Sequence, residues 1–526
     1  MTADQTLITQ SPFAKQASEE LYPTATIIYH ADAERIGEVS HLSELKQSRT
    51  QTISRLAPEF TQSDSTNARN IADPYISRKP IQLSLVNGGL SIEKAPELTG
   101  NITVNGRLLV DQLFIVGNEW ADGVLISMSN RVVLFIHQSP RASKRSQKKH
   151  GLLGESDVVV KLRTVIDRVA DLQVPVLIRG ETGTGKELIA QAIHNGSHRN
   201  EQNFVSVNVA AIPESLAISE LFGSKKGAFT GATKDHSGYF QQAHNSTLFL
   251  DEIGDAPEQV QVALLRTLET GEVTPVGSSG SIKVNVRLLA ATDADLEKSV
   301  ENNSFRSPLL QRLAGFEIRI LPLRKRRDDI GRLLIHFLQK ELETVDENRH
   351  LENTTGNVSF WASFFYKASL FDWPGNIRQL KNIAQQIAIY NRGADFLTIP
   401  DHIEELFTPK YAQMEQATPP IEPVQPIETP TPQRRKPSSL HEDEILEALS
   451  LHRWDLKASA EHLQISRAAL YKIIDNTNAI RTASDYSVEE LQASFSNQGG
   501  DLEKMVDELK VSKAALKRRL KDLSIH

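Results

Sequence analysis

The chain has 526 residues, with 59 lysines and arginines against 66 aspartates and glutamates, a formal net charge of −7. A uniformly basic nucleic-acid coat is therefore excluded, although a local basic face is not. Cysteine is absent, which excludes a disulfide framework, a thiol nucleophile, an iron–sulfur cluster and a cysteine-based zinc site.

At about 150 residues per domain the length predicts three or four domains, and two composition breaks divide them. Residues 1–25 read as a flexible N-terminus with no apolar run preceded by positive charge, so no secretory leader is expected. No apolar run reaches the roughly 18 residues of a membrane helix, and a cytoplasmic protein is expected. Residues 26–137 alternate short apolar runs (TIIYH, IQLSLV, NITVN, GVLISM, RVVLFIH) with turn-rich segments. Period-two patterning and β-branched residues predict a β-sandwich there. Residues 138–150 carry five lysines or arginines and no acid, which reads as a basic, solvated linker.

From 151 to 405, buried-strand runs (VPVLIR, FVSVNV, TLFLD, VRLLAAT) alternate with helical segments such as KELIAQAIH and QVALLRTLE. That alternation predicts an α/β fold around a parallel sheet. Residues 406–437 form a linker, with seven prolines between Pro419 and Pro437, and are expected to be extended. Residues 438–526 are helical in pattern and repeat internally. Asp455-Leu456, Leu463 and Ile465–Leu470 recur 46 residues later as Asp501-Leu502, Leu509 and Val511–Leu516.

Within the α/β block, Gly180-Glu181-Thr182-Gly183-Thr184-Gly185-Lys186 follows a strand and opens a helix. Glycines let backbone N–H groups turn inward around phosphates, the helix N-terminus adds favourable dipole, and Lys186 would reach the β- and γ-phosphates. Glu187 stands where a serine or threonine usually binds magnesium. Farther on, Thr247–Leu250 is an apolar strand ending in Asp251 and Glu252. Two carboxylates at a strand's carboxyl edge suit a magnesium ligand followed by a base for water. Together the motifs predict hydrolysis of a nucleoside triphosphate.

Gly227-Ala228-Phe229-Thr230-Gly231-Ala232 resembles the sigma-54-contacting loop of bacterial enhancer-binding proteins, AAA+ ATPases that activate RNA polymerase carrying sigma-54. GETGTGKE, NVAAIPESL, ELFG, LFLDEIGD, LLRTLETGEVTPVG and WPGNIRQLKN are similar to the same family. The resemblance implies an ATPase subdomain over 151–322, a helical lid over 323–405, and ATP with Mg2+ as cofactors. Glu187 is this family's usual residue after the loop lysine. Asp251 would hold magnesium, Glu252 would polarise water, and Asn208 would restrain Glu252. Arg306 and Arg312 would reach a neighbouring subunit's nucleotide, Arg378 would serve as the lid's sensor arginine, and Thr292 lies in the other sensor segment. That segment continues with Asp293, where the family more often has asparagine, and an acid there would repel the γ-phosphate.

The C-terminal repeats resemble the Fis-type helix-turn-helix of this family, with recognition helices starting near Ser466 and Ser512. Ser512, Lys513, Lys517, Arg518 and Arg519 would contact DNA in the second repeat, and Arg467 and Lys472 in the first. The N-terminal block resembles a forkhead-associated (FHA) domain through Arg35–Gly37, Asp73–Arg78 and Val104–Gly106. Glu38 and Pro80 replace its usual phosphate-site arginine and histidine, and Glu38 would oppose a phosphothreonine. The combined expectation is an ATP-driven activator that binds upstream double-stranded DNA, assembles from dimers to a hexamer, and remodels sigma-54 polymerase. A protein partner of the FHA-like block is also expected. The alternative is a DNA-binding adaptor or repressor whose ATPase core assembles but turns over weakly.

Overall fold

The computed structural model describes residues 20–62, 67–140, 149–229, 232–351, 355–395, 397–407, 486–498, 502–511 and 513–523, with isolated positions between 444 and 470. The chain divides into two compact units, residues 1–418 and 419–526.

The first unit opens with β1 (Leu21–Tyr29), β2 (Val39–His41), α1 (Ser43–Gln47), β3 (Thr50–Ile53), β4 (Ile81–Val86) and β5 (Gly89–Lys94). There follow β6 (Ile102–Val104), β7 (Arg107–Leu108), β8 (Gln112–Ile115), α2 (Gly117–Asp122), β9 (Val124–Met128) and β10 (Val132–Pro140). They form two antiparallel sheets, β2-β1-β10-β9-β6-β7 and β3-β4-β5-β8. Asn87-Gly88 and Asn105-Gly106, all at positive φ, make the two-residue turns of β4–β5 and β6–β7, as Asn-Gly pairs do. Ile27, Ile126 and Leu134 of one sheet share a buried core with Ile81, Leu83 and Ile92 of the other. The expected sandwich is therefore present, but its expected limits of 26 and 137 are too narrow. Leu21 pairs with Pro140 in the β1–β10 ladder, so the strands consume residues assigned to the flexible N-terminus and the basic linker.

The α/β block runs α3 (Asp157–Val169), β11 (Val176–Arg179), α4 (Lys186–Asn195), β12 (Phe204–Asn208), α5 (Glu214–Phe222), α6 (Tyr239–Gln242), β13 (Thr247–Asp251) and α7 (Glu258–Thr270). It continues with the hairpin β14 (Glu272–Val273) and β15 (Ile282–Lys283), then β16 (Arg287–Thr292), α8 (Leu296–Glu301), α9 (Ser307–Leu313) and β17 (Phe316–Arg319). The main sheet has the order β12-β13-β16-β11-β17 and is wholly parallel. Helices cover both faces, which is why its strands read as continuous apolar runs. After β11 the chain crosses to the far edge at β12, and the carboxyl ends beside such a crossover form the usual ligand crevice of a parallel sheet.

Four helices follow: α10 (Ile330–Thr344), α11 (Thr355–Leu370), α12 (Asn376–Tyr390) and α13 (Asp401–Phe407). Phe407 is buried beside Phe364, Phe371 and Trp373, so this helical subdomain extends past the expected end at 405.

The sandwich and the helical subdomain share one core. Ile28, Tyr29, Leu125, Val133 and Phe135 are buried together with Leu333, Leu334, Trp361 and Phe365. Tyr29 and Phe365 meet at 5.0 Å between ring centroids, tilted by 48°, and the Gly106 N–H donates to the Tyr366 hydroxyl at 2.7 Å. This corrects the expected period-two alternation. β9 is buried at every position because one face packs on the other sheet and the opposite face packs on α11.

The second unit contains α14 (Val488–Asn497), α15 (Leu502–Leu509) and α16 (Lys513–Asp522). Leu491, Met505, Val506, Leu509, Val511, Leu516 and Leu520 form its core. Leu463 and Leu470, the counterparts of Leu509 and Leu516 in the first repeat, are buried in the same cluster. Among the described residues no helix is long and apolar enough to cross a membrane.

Candidate functional site

The parallel sheet brings the expected phosphate and acid groups to one edge. Its ladders align Asn208 with Asp251 and Arg179 with Thr292, so β11, β12, β13 and β16 end side by side. Beyond Arg179 the chain turns through Gly183 and Gly185, at φ +77° and +99°, a region costly for any residue with a Cβ. Gly185 caps α4 in the left-handed conformation, leaving that helix's first N–H groups facing the loop. The Thr184 hydroxyl donates to the Glu181 carbonyl at 2.6 Å and closes the turn. Glu187 is exposed in the first turn of α4.

Lys186 is buried. Its ammonium donates to the Gly180 carbonyl at 3.1 Å and pairs with the Glu252 carboxylate at 3.3 Å. Glu252 sits at φ 52°, a left-handed position that turns its side chain back over the loop. Its carboxylate also accepts the Asp293 N–H at 3.3 Å. Burial lifts the Glu252 carboxyl above its ordinary range; the Lys186 charge opposes that, while Asp293 and Asp251 reinforce it. The Thr182 hydroxyl donates to the Asp293 carboxylate, which ties the phosphate loop to the end of β16. Thr292 is buried, and its hydroxyl accepts the Ala294 N–H at 3.0 Å.

The helical subdomain closes the other side. The N–H groups of Ile377 and Arg378 point to the Gly183 carbonyl at 3.0 and 3.3 Å, so Arg378, exposed at the start of α12, stands beside the loop. Two residues passed over in the sequence reading hold this closure. Asn376, fully buried, donates to the Glu181 carboxylate at 3.2 Å and the Thr182 carbonyl at 3.1 Å, and accepts the Leu323 N–H at 2.8 Å. Arg324 grips the same Glu181 carboxylate through both terminal nitrogens and draws its pKa down. Asn376 sits at positive φ (50°) at the start of α12, a conformation asparagine tolerates, and no local sequence signal marks its contacts.

Three expected catalytic groups do not reach the acid pair within one chain. The Asn208 amide oxygen accepts the Ala211 N–H at 3.2 Å and so caps the short turn after β12. Arg306 pairs with Glu258 at 2.8 Å, and Arg312 lies 4.0 Å from Glu269, both outside the crevice. Among the described residues no cluster of three or more metal-ligating side chains occurs. The acid pair nonetheless suits Mg2+, which typically takes one or two carboxylates and completes its shell with water and substrate phosphates. Asp251 would hold it.

Outside the crevice, Gly227 has φ +81°, and a Cβ there would meet nothing within 4 Å. Its N–H bonds to the Ala232 carbonyl at 2.8 Å. Ala228 packs against Gly277, and Phe229 is 43% exposed. Thr230 and Gly231 lie outside the described residues. In the second unit Lys510, at φ 53°, separates α15 from α16. Lys513 and Arg518 lie within α16, Lys517 is exposed and Arg519 is half-buried. Ser512, Arg467 and Lys472 lie outside the described residues. In the sandwich, Glu38 is buried and receives Arg35 at 2.9 Å and Arg69 at 2.5 Å.

Residues 152–319 match the sigma-54 interaction domain family, and residues 324–418 match the AAA+ ATPase lid domain family. The chain is 41% identical over 277 residues to the DNA-binding transcriptional regulator NtrC of Salmonella typhimurium, covering 52% of this chain and 57% of that one. It is 38% identical over 322 residues to the phenol regulator MopR of Acinetobacter guillouiae, covering 60% and 54%. Thus the chain spans little more than half the length of these curated relatives. A crystal structure of NtrX from Brucella abortus in complex with ADP aligns at 26% identity over 71% of this chain and 70% of its own, with a TM-score of 0.42.

Proposed function

We propose that this chain, which carries a sigma-54 interaction domain over residues 152–319 and an AAA+ ATPase lid over residues 324–418, is an ATP-driven activator of RNA polymerase bearing sigma-54. The observation that carries the proposal is the convergence of Lys186, Glu252 and Asp251 at the strand ends, in a module that also exposes Phe229 on a glycine-bounded loop. In this reading the loop amides and Lys186 bind the triphosphate, and Asp251 holds Mg2+. Glu252 exchanges its pairing with Lys186 for the attacking water. Arg378 and Asn376 report the loop's state to the lid.

Arg306 and Arg312 pair with Glu258 and Glu269 rather than with the acid pair, which supports a ring, a hexamer, in which each reaches a neighbour's nucleotide. Phe229 and Thr230 engage sigma-54. The second unit binds upstream DNA as a helix-turn-helix, supported by the exposed Lys517 on α16 and the left-handed turn at Lys510. The sandwich is FHA-like. Because Glu38 occupies both Arg35 and Arg69 as their carboxylate partner, the role assigned to the sandwich is attachment to the lid rather than phosphothreonine recognition.

The test is in vitro transcription from a sigma-54 promoter. Open complexes that form only with the protein and hydrolysable ATP support the activator. Promoter-upstream DNA binding with no ATP-dependent open complex would establish the adaptor reading instead.

A further inference from the structure

Helix α7 carries a buried amide that none of the roles above uses. Gln261 is 1% exposed, and all three of its hydrogen bonds go to backbone. Its oxygen accepts the Arg306 N–H at 2.9 Å. Its nitrogen donates to the carbonyls of Ala256 and Ser304, both at 2.9 Å. Ala256 closes the short turn that begins at Glu252, and Ser304 lies two residues before Arg306. One side chain thus fastens the segment after the water-polarising acid to the segment presenting the arginine. A buried amide with every contact made to main chain fixes position, because losing it strands the buried Ala256 carbonyl and releases the part-buried Ser304 carbonyl and Arg306 N–H.

The guanidinium of Arg306 is meanwhile held by Glu258 at 2.8 Å, one helical turn before Gln261 on the same helix. Backbone and side chain of Arg306 therefore both register against α7.

We infer that Gln261 is a positioning residue that sets the place of Arg306 relative to the Glu252 turn, and so couples the hydrolytic state of one subunit to the arginine that subunit offers its neighbour. The inference rests on the reading of Arg306 as a group acting in trans. Movement of the turn when Glu252 leaves Lys186 passes through Ala256 and Gln261 to Arg306 without crossing the sheet.

A double-mutant cycle on the assembled full-length protein tests it, with ATPase turnover as the readout and ring assembly checked by light scattering. Gln261→Met keeps the length and removes every hydrogen bond. Turnover should fall up to about 100-fold, the cost of displacing a catalytic group by about 1 Å, while KM for ATP stays within about twofold because the phosphate loop is untouched. Arg306→Ala should lose about 1,000-fold or more. In the Arg306→Ala background Gln261→Met should add nothing further. A full additional loss in the double variant, or wild-type turnover in Gln261→Met, would overturn the inference while leaving the trans arginine intact. Wild-type turnover in Arg306→Ala would overturn both, by removing the group that Gln261 positions. Should Gln261→Met fail to assemble, Gln261→Asn, one methylene shorter, runs the same cycle and should show a smaller loss with the same non-additivity.

Discussion

Gly331 of α10 lies against Ile28 of β1 so closely that a methyl group on its Cα would stand 2.3 Å from the Ile28 carbonyl oxygen. No side chain fits there, so the lid helix rests directly on the strand's backbone. Gly331→Ala should be destabilising even though alanine is the better helix former by about 1 kcal/mol. Overpacking of this kind costs about 1–3 kcal/mol. Thermal unfolding of the full chain, with limited proteolysis of the sandwich, checks this. A raised melting temperature would show that the two surfaces are not held in this contact.

Glu38 supplies a second test of the sandwich. Glu38→Gln removes the charge that partners Arg35, a guanidinium 4% exposed, and an ion left unpaired in the interior costs about 3–5 kcal/mol. Chemical denaturation should register that loss. Binding of phosphothreonine peptides to the wild type should be no tighter than binding of their unphosphorylated forms, and a phosphate-dependent micromolar titration would contradict the assignment.

Removing the carboxyl of Glu252 should separate binding from turnover. Glu252→Gln keeps the shape, releases Lys186, and should retain ATP while lowering turnover about 100-fold or more, the range for losing a general base. Filter binding of radiolabelled ATP beside steady-state hydrolysis reads both quantities. Unchanged turnover would remove Glu252 from its role.

Asp293 bears on the same group through pH. Burial, Asp293 and Asp251 hold the Glu252 carboxyl above its ordinary range against the pull of Lys186. In the proposed role Glu252 acts ionised, so turnover should be lost on acidification at a higher pH than an unperturbed glutamate would give. Asp293→Asn removes one of the raising charges, and the acid limb of the turnover profile should move to lower pH. A limb that stays in place or rises would show that Asp293 does not act on Glu252.

The phosphate loop and the acid pair were legible in the sequence because their chemistry is local. Gly180–Lys186 and Asp251-Glu252 are contiguous runs whose spacing within a strand–loop–helix and a strand end fixes their geometry. The lid's grip was not legible. Arg324–Glu181 and Asn376–Thr182 join residues 143 and 194 positions apart, and nothing local distinguishes Arg324 from the basic residues around it. The runs TIIYH, VLISM and VVLFI read correctly as strands. Read as period-two strands, they gave no sign that α11, distant in the chain, buries the second face of their sheet.

The second unit makes a prediction of its own. Lys517 is exposed on α16, and each phosphate contact contributes to the salt dependence of DNA affinity. Lys517→Ala should weaken binding across all sequences and reduce the slope of log affinity against log salt by about 1. An unchanged slope would move DNA contact to the first repeat.

Coupling of hydrolysis to polymerase is the central claim, and Phe229 tests it most directly. The residue is 43% exposed on a loop whose described residues make no hydrogen bond to the phosphate-site groups. ATP hydrolysis and open-complex formation should be measured on a single preparation of Phe229→Ala beside the wild type. The account predicts hydrolysis near wild type with open complexes lost. Open complexes forming at the wild-type rate would contradict it, because the loop would then not carry the work of the ATPase to sigma-54.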